Sequence, residues 1–145
     1  MAEIRWRHSG QRLILPVAVL PSLAASNSSE MEIVEALIDT GATGTGLRPD
    51  VADRLKIPGR GRRRVQTANG DILVPEFRIR LGFFPGLFEG EVERLPTAMP
   101  HVLELGLLVY ALREFFTYPL LIGMDVIGHC DLDIRRDRSV RLVLP

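Results

Sequence analysis

One carboxylate stands where the sequence changes from an apolar run to a chain of turn-forming residues. In "ALIDTGATGTGL", residues 36–47, Asp39 follows the alternating positions of Val34, Ala36 and Ile38. This pattern is typical of a strand that is buried at its end, so Asp39 emerges from a core. A carboxylate there must be hydrogen-bonded, paired or functional, because burial without a partner is costly or forces protonation. Local chemistry leaves two interpretations open, a reacting acid and a side chain that caps the turn beginning at Thr40.

The elements that must position Asp39 are strands. Residues 12–20 and 31–39 predict two strands that pair as a hairpin, joined by the polar linker "AASNSSE". Pro49 and Pro58 bracket a helix of two turns at most. In "RRRVQTANGDILVPEFRIRLGFF", Asn69 and Gly70 predict a hairpin with a type I′ turn, and Pro75 predicts a bulge or an edge position. The preceding basic run is expected to be a solvated approach to this hairpin without a function of its own; it comprises Arg60, Arg62, Arg63 and Arg64.

The carboxyl half of the sequence predicts short strands, one helix and one short helical turn. Residues 84–99 are turn-rich with a short strand at "LFEGEVERL", and the spacing of apolar residues in "HVLELGLLVYALREFF" predicts a helix over about residues 105–116. In "YPLLIGMDVIGHCDLDI" a buried strand, a glycine, a short helical turn and another strand follow each other, and "VRLVLP" predicts a last strand. The total is mostly β.

Composition excludes several classes of function. Eighteen basic residues balance eighteen acidic ones, so no general affinity for nucleic acid is expected. The single cysteine, Cys130, cannot form an internal disulfide, which favours a cytoplasmic location. No apolar segment reaches membrane-spanning length, so no membrane association is expected. The basic residues before "LILPVAVLPSLAAS" also fit a secretory signal, but two prolines and strand-like alternation favour a strand there.

Two segments carry a family resemblance. "LIDTGAT", residues 37–43, resembles the active-site loop of retropepsin-like aspartic proteases, and "LLIGMDVIG", residues 120–128, resembles the second signature of that family. The hairpin tipped by Asn69 and Gly70 stands between them, where the family carries a flap that closes over peptide. The resemblance covers roughly residues 13–144 and implies an all-β, retropepsin-like closed β-barrel (acid protease fold) with one or two short helices. A single domain over residues 1–145 is expected, with residues 1–11 as an N-terminal extension and residues 84–118 as a longer segment that holds an extra helix.

The resemblance also implies a function, an aspartic endopeptidase that uses no cofactor and no metal. Its chemistry needs two carboxylates that share a proton, an arrangement for which this enzyme class is the standard example. Because the chain has a single Asp-Thr-Gly segment, the second carboxylate must come from a second copy, and a homodimer acting on peptide or protein substrate follows. Asp125 is interpreted as a structural brace of the loop. By resemblance the catalytic residues are Asp39, Thr40 and Gly41, and the substrate-binding residues are Ala42, Asn69, Gly70 and Ile122.

Other interpretations remain. The fold is also compatible with a catalytically inactive dimerisation or peptide-binding module. Gly41, Gly44 and Gly46 resemble a phosphate-binding loop, but the helix after them is too short for a βαβ unit. The histidines and Cys130 do not match a zinc spacing.

Overall fold

The protein is built mainly of strands, with two short helices. The computed structural model describes residues 2–22, 30–86 and 99–145. Its elements in chain order are β1 (Glu3–Arg7), β2 (Leu13–Pro21), β3 (Glu32–Ile38), β4 (Gly46–Leu47), α1 (Pro49–Arg54), β5 (Gly59–Thr67), β6 (Gly70–Phe83), β7 (His101–Val102), β8 (Leu107–Ala111), β9 (Leu120–Ile122), α2 (Met124–Ile127), β10 (Asp131–Ile134) and β11 (Ser139–Val143). The mostly-β prediction is confirmed.

The larger sheet closes on itself. Its strand order is β2-β3-β9-β4-β8-β6-β5, β7 pairs with β6, and β2 also pairs with β6. Strands β2, β3, β9, β4, β8 and β6 therefore form a ring. Strand β6 makes this closure, because its fourteen residues are long enough to pair with β5 at one end and with β8, β2 and β7 toward the other.

The first predicted hairpin and the short helix are both confirmed. Strands β2 and β3 pair antiparallel from Leu13↔Ile38 to Val19↔Glu32. Helix α1 begins at Pro49, whose fixed φ suits a first helical position. The linker predicted over residues 24–30 lies almost wholly outside the described residues, as does the short strand predicted in residues 87–95.

The second predicted hairpin is confirmed, but its turn is different. Thr67 pairs with Gly70, so Ala68 and Asn69 form the two-residue loop. Gly70 adopts a φ of 109°, whereas Asn69 does not have a positive φ, and a type I′ turn needs two such residues. The type I′ prediction is therefore wrong, because only one residue at the tip enters the region where glycine is favoured. A register shift on β5 opposite Pro75 confirms the predicted irregularity.

The helix predicted over residues 105–116 is wrong. Strand β8 occupies this segment and pairs with β6 on one side and β4 on the other. Burial alternates along it, with Leu107, Val109 and Ala111 buried and Leu108 exposed. Over so short a run the apolar residues fit both the helical period of about 3.6 and the strand period of about 2. A strand forms because only a strand can make backbone hydrogen bonds to β4 and to β6 at the same time. In the described part of residues 84–118 there is accordingly no extra helix.

The chain ends form a second sheet, in the order β1-β11-β10. Strand β1 lies within the N-terminal extension, and its Ile4 and Trp6 side chains are buried in the main apolar cluster. Strand β11 has β1 on one side and β10 on the other, so both of its edges are occupied within one chain. The extension is therefore packed on the core and closes this end of the molecule.

Candidate active site

Asp39 lies directly after β3, at the point where parallel strands β3 and β9 end together. Its backbone N–H donates to the carbonyl of Ile122 at 2.9 Å, which continues the ladder that pairs Ile38 with Ile122. The residue before it, Ile38, is buried, while Asp39 itself is half-buried. The core therefore holds the backbone of Asp39 and leaves its carboxylate at the surface of a cleft.

The loop after Asp39 turns tightly around its side chain. The N–H of Gly41 donates to Oδ1 of Asp39 at 2.9 Å, and the N–H of Ala42 donates to the Asp39 carbonyl at 3.2 Å. The turn-capping interpretation is thus correct as geometry, but the cap uses Oδ1 alone, and no donor from the described residues bonds to Oδ2. Thr40 and Gly41 are exposed. Capping and catalysis are compatible, because the cap fixes the carboxylate in one orientation.

A cavity of about 420 Å³ adjoins the Asp39 carboxylate. Both the loop and the amino-terminal strands contribute to its wall, which brings an aspartate, an arginine and a histidine together with apolar surface. Its lining comprises His8, Gly10, Gln11, Arg12, Leu13, Leu37, Ile38, Asp39, Thr40 and Ile134. Asp39, the candidate catalytic acid, therefore lies in the wall of this cavity.

A buried polar network holds the loop from below. Thr45 is fully buried, its Oγ1 donates to Oδ1 of Asp125 at 2.7 Å, and its N–H donates to Oδ2 of Asp125 at 3.0 Å. The same Oγ1 accepts the N–H of Gly123 at 3.1 Å. The interpretation of Asp125 as a brace is confirmed. Thr45 was missed in the sequence, where its only signal is a polar residue between two glycines.

Helix α2 packs closely on the same loop. Met124 N–H donates to the carbonyl of Ala42 at 2.8 Å, and Asp125 N–H donates to that of Thr43 at 3.2 Å. A Cβ on Gly123 would lie 2.5 Å from the carbonyl oxygen of Gly44, so only glycine fits there. The two sequence signatures therefore meet in space, and the second one supports the first.

Of the remaining predicted site residues, Ile122 contacts Asp39 through its backbone only, and Asn69 and Gly70 belong to the β5–β6 hairpin. Ile122 is 1% exposed and its side chain packs in the core. Asn69 and Gly70 are exposed at the tip of the β5–β6 hairpin, and a Cβ on Gly70 would meet nothing within 4 Å. Thr67 stabilises this tip, because its Oγ1 donates to the Gly70 carbonyl at 2.7 Å. The hairpin tip is thus free to contact a ligand.

A second cluster missed in the sequence joins this hairpin to the loop. Arg63 of β5 forms an ion pair with Glu76 at 2.9 Å, donates to the carbonyl of Leu108 at 3.1 Å, and lies 5.9 Å from the ring centroid of Tyr110. Burial raises the pKa of the Tyr110 hydroxyl, and the negative charge of Asp39 raises it further, whereas Arg63 opposes the rise. The prediction of a solvated basic run is therefore right for its exposed arginines and wrong for Arg63.

No metal centre is apparent in the described parts of the chain. Within residues 2–22, 30–86 and 99–145, no group of three or more His, Cys, Asp and Glu side chains is arranged to hold a metal ion. No helix in those segments is long and apolar enough to cross a membrane.

Comparisons with known proteins agree with this geometry. Residues 28–87, which contain the Asp39 loop and the β5–β6 hairpin, match the family model described as aspartyl protease. No curated protein matches the chain. Among solved structures, a retropepsin-like aspartic protease from Rickettsia conorii superposes with a TM-score of 0.64 at 15% identity, covering 98% of this chain and 90% of that chain.

The fold is therefore that of the retropepsin-like aspartic proteases, and the resemblance drawn from the two signatures is confirmed. The match extends to the segment that bears Asp39 and supports an aspartic protease in general terms.

Proposed function

We propose that the protein is an aspartic endopeptidase whose active site forms between two copies of the chain. The observation that carries this proposal is the placement of Asp39, fixed by the ends of β3 and β9, capped by Gly41, and open to a cavity. The family match over residues 28–87 supports the same chemistry. One protomer supplies one such acid, and the reaction needs two.

The mechanism follows from two Asp39 side chains at a twofold axis. Because like charges a few ångström apart do not both ionise readily, the pair holds one proton. The ionised Asp39 acts as general base on a bound water, and the protonated one donates to the scissile carbonyl oxygen. The proton position belongs to the pair, so the roles exchange between protomers. No covalent intermediate forms, and activity is expected to be highest at acid pH.

Other residues of the loop position these groups. Thr40 is exposed next to Asp39, where it bonds across the dimer axis. Gly41 adds no side chain that would crowd the pair, and Ala42 borders the bound peptide. Asn69 and Gly70 supply backbone contacts from the hairpin tip, so that main-chain hydrogen bonds hold an extended peptide. Ile122 acts from the core, where it supports the loop.

The second copy docks through the free edge of β10. Strand β11 cannot accept a partner strand because both of its edges are occupied, whereas β10 pairs only with β11 among the described strands. Ile134 of β10 is 53% exposed and lines the cavity that contains Asp39. Pairing of two β10 edges covers this apolar side chain and brings the two Asp39 loops toward one axis. The single free cysteine is compatible with a cytoplasmic location for this dimer.

The test compares Asp39→Asn with Asp53→Asn, an exposed aspartate of α1. Both proteins are expected to remain folded dimers by sedimentation, since Asn keeps the shape and the cap acceptor of Asp39. Cleavage of an unfolded protein substrate at acid pH should fall by at least about a thousandfold for Asp39→Asn and stay unchanged for Asp53→Asn. Undiminished cleavage by Asp39→Asn removes the catalytic assignment. A dimer that never cleaves identifies an inactive peptide-binding module instead.

A further inference from the structure

The cavity beside Asp39 contains a positively charged side chain that pairs with no carboxylate of the described residues. Arg12 lines this cavity, and no Asp or Glu in the described segments forms an ion pair with it. By contrast, Arg63 on β5 is paired with Glu76. Arg12 is exposed in the single protomer, so its charge is available to a ligand.

The guanidinium of Arg12 is held in one place by Tyr118. Its Nη1 donates to the Tyr118 hydroxyl at 3.2 Å, and its Cζ lies 5.8 Å from the centroid of the same ring. These contacts use one of five N–H donors and leave the planar fork that binds a carboxylate at two points. Tyr118 is itself buried, so it anchors the arginine from the protein side. Arg12 is thereby oriented in advance for a carboxylate ligand.

The position of Arg12 relative to Asp39 is set by strand register. Leu13 pairs with Ile38, and Arg12 and Asp39 are the next residue on each chain beyond that pair. Residues directly opposite each other on paired strands have side chains on the same face, about 5 Å apart at Cβ. One side chain of an extended substrate can therefore lie near both Arg12 and Asp39. A ligand that places its scissile bond at Asp39 therefore places an adjoining side chain beside Arg12.

We propose, on the basis of the function given above, that the part of this cavity lined by Arg12, Leu13 and Leu37 is a subsite for an acidic side chain of the peptide, with Arg12 as the residue that selects it. Thr40 and Ile134, which also line the cavity, contact the second copy of the chain in this arrangement. Apolar surface from Leu13 and Leu37 contacts the aliphatic part of that side chain, and the guanidinium binds its carboxylate. The twofold axis of the dimer produces two such subsites, one on each side of the scissile bond. The substrate class is a peptide with Asp or Glu at one or both of these related positions.

A preference for Glu over Gln that comes from charge depends on pH, whereas a preference that comes from packing does not. A Glu side chain ionises near pH 4.3, so its preference over Gln is present above this pH and fades below it. The groups around Arg12 that also carry charge or titrate are His8 after β1, Asp39 after β3 and Tyr118 before β9. A charge-assisted bond of this kind supports a preference of about tenfold, or about 1.4 kcal/mol.

The experiment profiles cleavage of peptides from a digested proteome, followed by kinetics on a matched Glu and Gln peptide pair. Wild-type protein is expected to enrich Asp and Glu beside the cleaved bond and to favour the Glu peptide about tenfold in kcat/KM near pH 5.5, with little preference near pH 3.5. Arg12→Gln should lose this preference, and Tyr118→Phe should reduce it. Arg136→Gln, which removes an exposed arginine from the turn before β11, should retain it.

Several results would overturn the proposal. Cleavage by wild type without acidic enrichment does so, as does enrichment that persists in Arg12→Gln. If Arg12→Gln instead dissociates the dimer with its selectivity unchanged, Arg12 belongs to the interface and not to a subsite.

Binding separates this inference from the proposed function. If wild type cleaves nothing, fluorescence anisotropy of the Glu and Gln peptides with Asp39→Asn protein decides the matter. A preference for Glu that depends on Arg12 supports the subsite although the peptidase proposal has failed. If the Glu peptide is not preferred, the subsite proposal fails as well.

Discussion

Thr45→Val tests whether the buried network under the Asp39 loop holds the fold. Valine has nearly the shape of threonine, so the substitution removes one hydroxyl and leaves packing in place. The hydroxyl donates to Asp125 at 2.7 Å and accepts the N–H of Gly123 at 3.1 Å. Both partners lose a bond at once.

The two losses differ in size because the partners differ in burial. Gly123 is buried, and leaving its N–H without an acceptor costs about 1–3 kcal/mol. Asp125 is half-buried and keeps the N–H of Thr45 at 3.0 Å, so water replaces the lost donor at a cost of up to about 1 kcal/mol. The free energy of unfolding should fall by about 1–4 kcal/mol, which lowers Tm by about 3–13 °C for a chain of this size.

The assay is urea and thermal unfolding at a fixed protein concentration, since the Tm of the proposed dimer would depend on concentration. Thr43→Val is the matched control, because Thr43 is exposed and its side chain forms no hydrogen bond with any described residue, so its change should stay within about 0.5 kcal/mol. Equal stability of Thr45→Val and wild type would refute the reasoning. So would an equal loss in Thr43→Val, because the effect would then come from the loop in general.

Three further substitutions test the surroundings of the site. Gly123→Ala places a Cβ against backbone carbonyls and should cost more than about 2 kcal/mol in urea unfolding, whereas Gly106→Ala, whose Cβ meets a single arginine nitrogen at 3.8 Å, should cost less than half of that; similar costs would contradict the close approach. The pKa of Tyr110 is raised in the folded protein, so its contribution to stability is present below about pH 10 and is lost as pH rises through its folded-state pKa. Tyr110→Phe should therefore make the free energy of unfolding fall less steeply above about pH 10. An unchanged slope would assign that fall to other groups. Arg63→Met removes the ion pair with Glu76, whose two side chains are 31% and 16% exposed, and should lower the free energy of unfolding by about 1–2 kcal/mol and also lower kcat. Arg64→Met, at an exposed position of the same strand, should change neither quantity. Equal effects of the two substitutions would show that Arg63 behaves as an ordinary solvated arginine.

The sequence by itself determined the local elements around Asp39. Alternation in residues 31–39, the prolines that bracket α1 and the apolar run before Gly123 each express a short-range preference, and each element formed where it was expected. Local pattern failed where two periods fit the same residues. In residues 105–116 the helical spacing was real, but β8 formed because β4 and β6 offered it hydrogen bonds on both sides.

Only the tertiary structure decided which distant residues share the site. Thr45, Tyr110 and Arg12 carry no short motif, and their roles follow from the ring closure that brings β2, β4, β8 and β9 around one loop. The edges available for a second copy were likewise invisible in the sequence, since "VRLVLP" reads as a strand whether its neighbours belong to its own chain or to a partner. Hydrogen bonds between residues far apart in the chain settle these questions, because a strand reveals its own conformation locally and its neighbours only in the folded molecule.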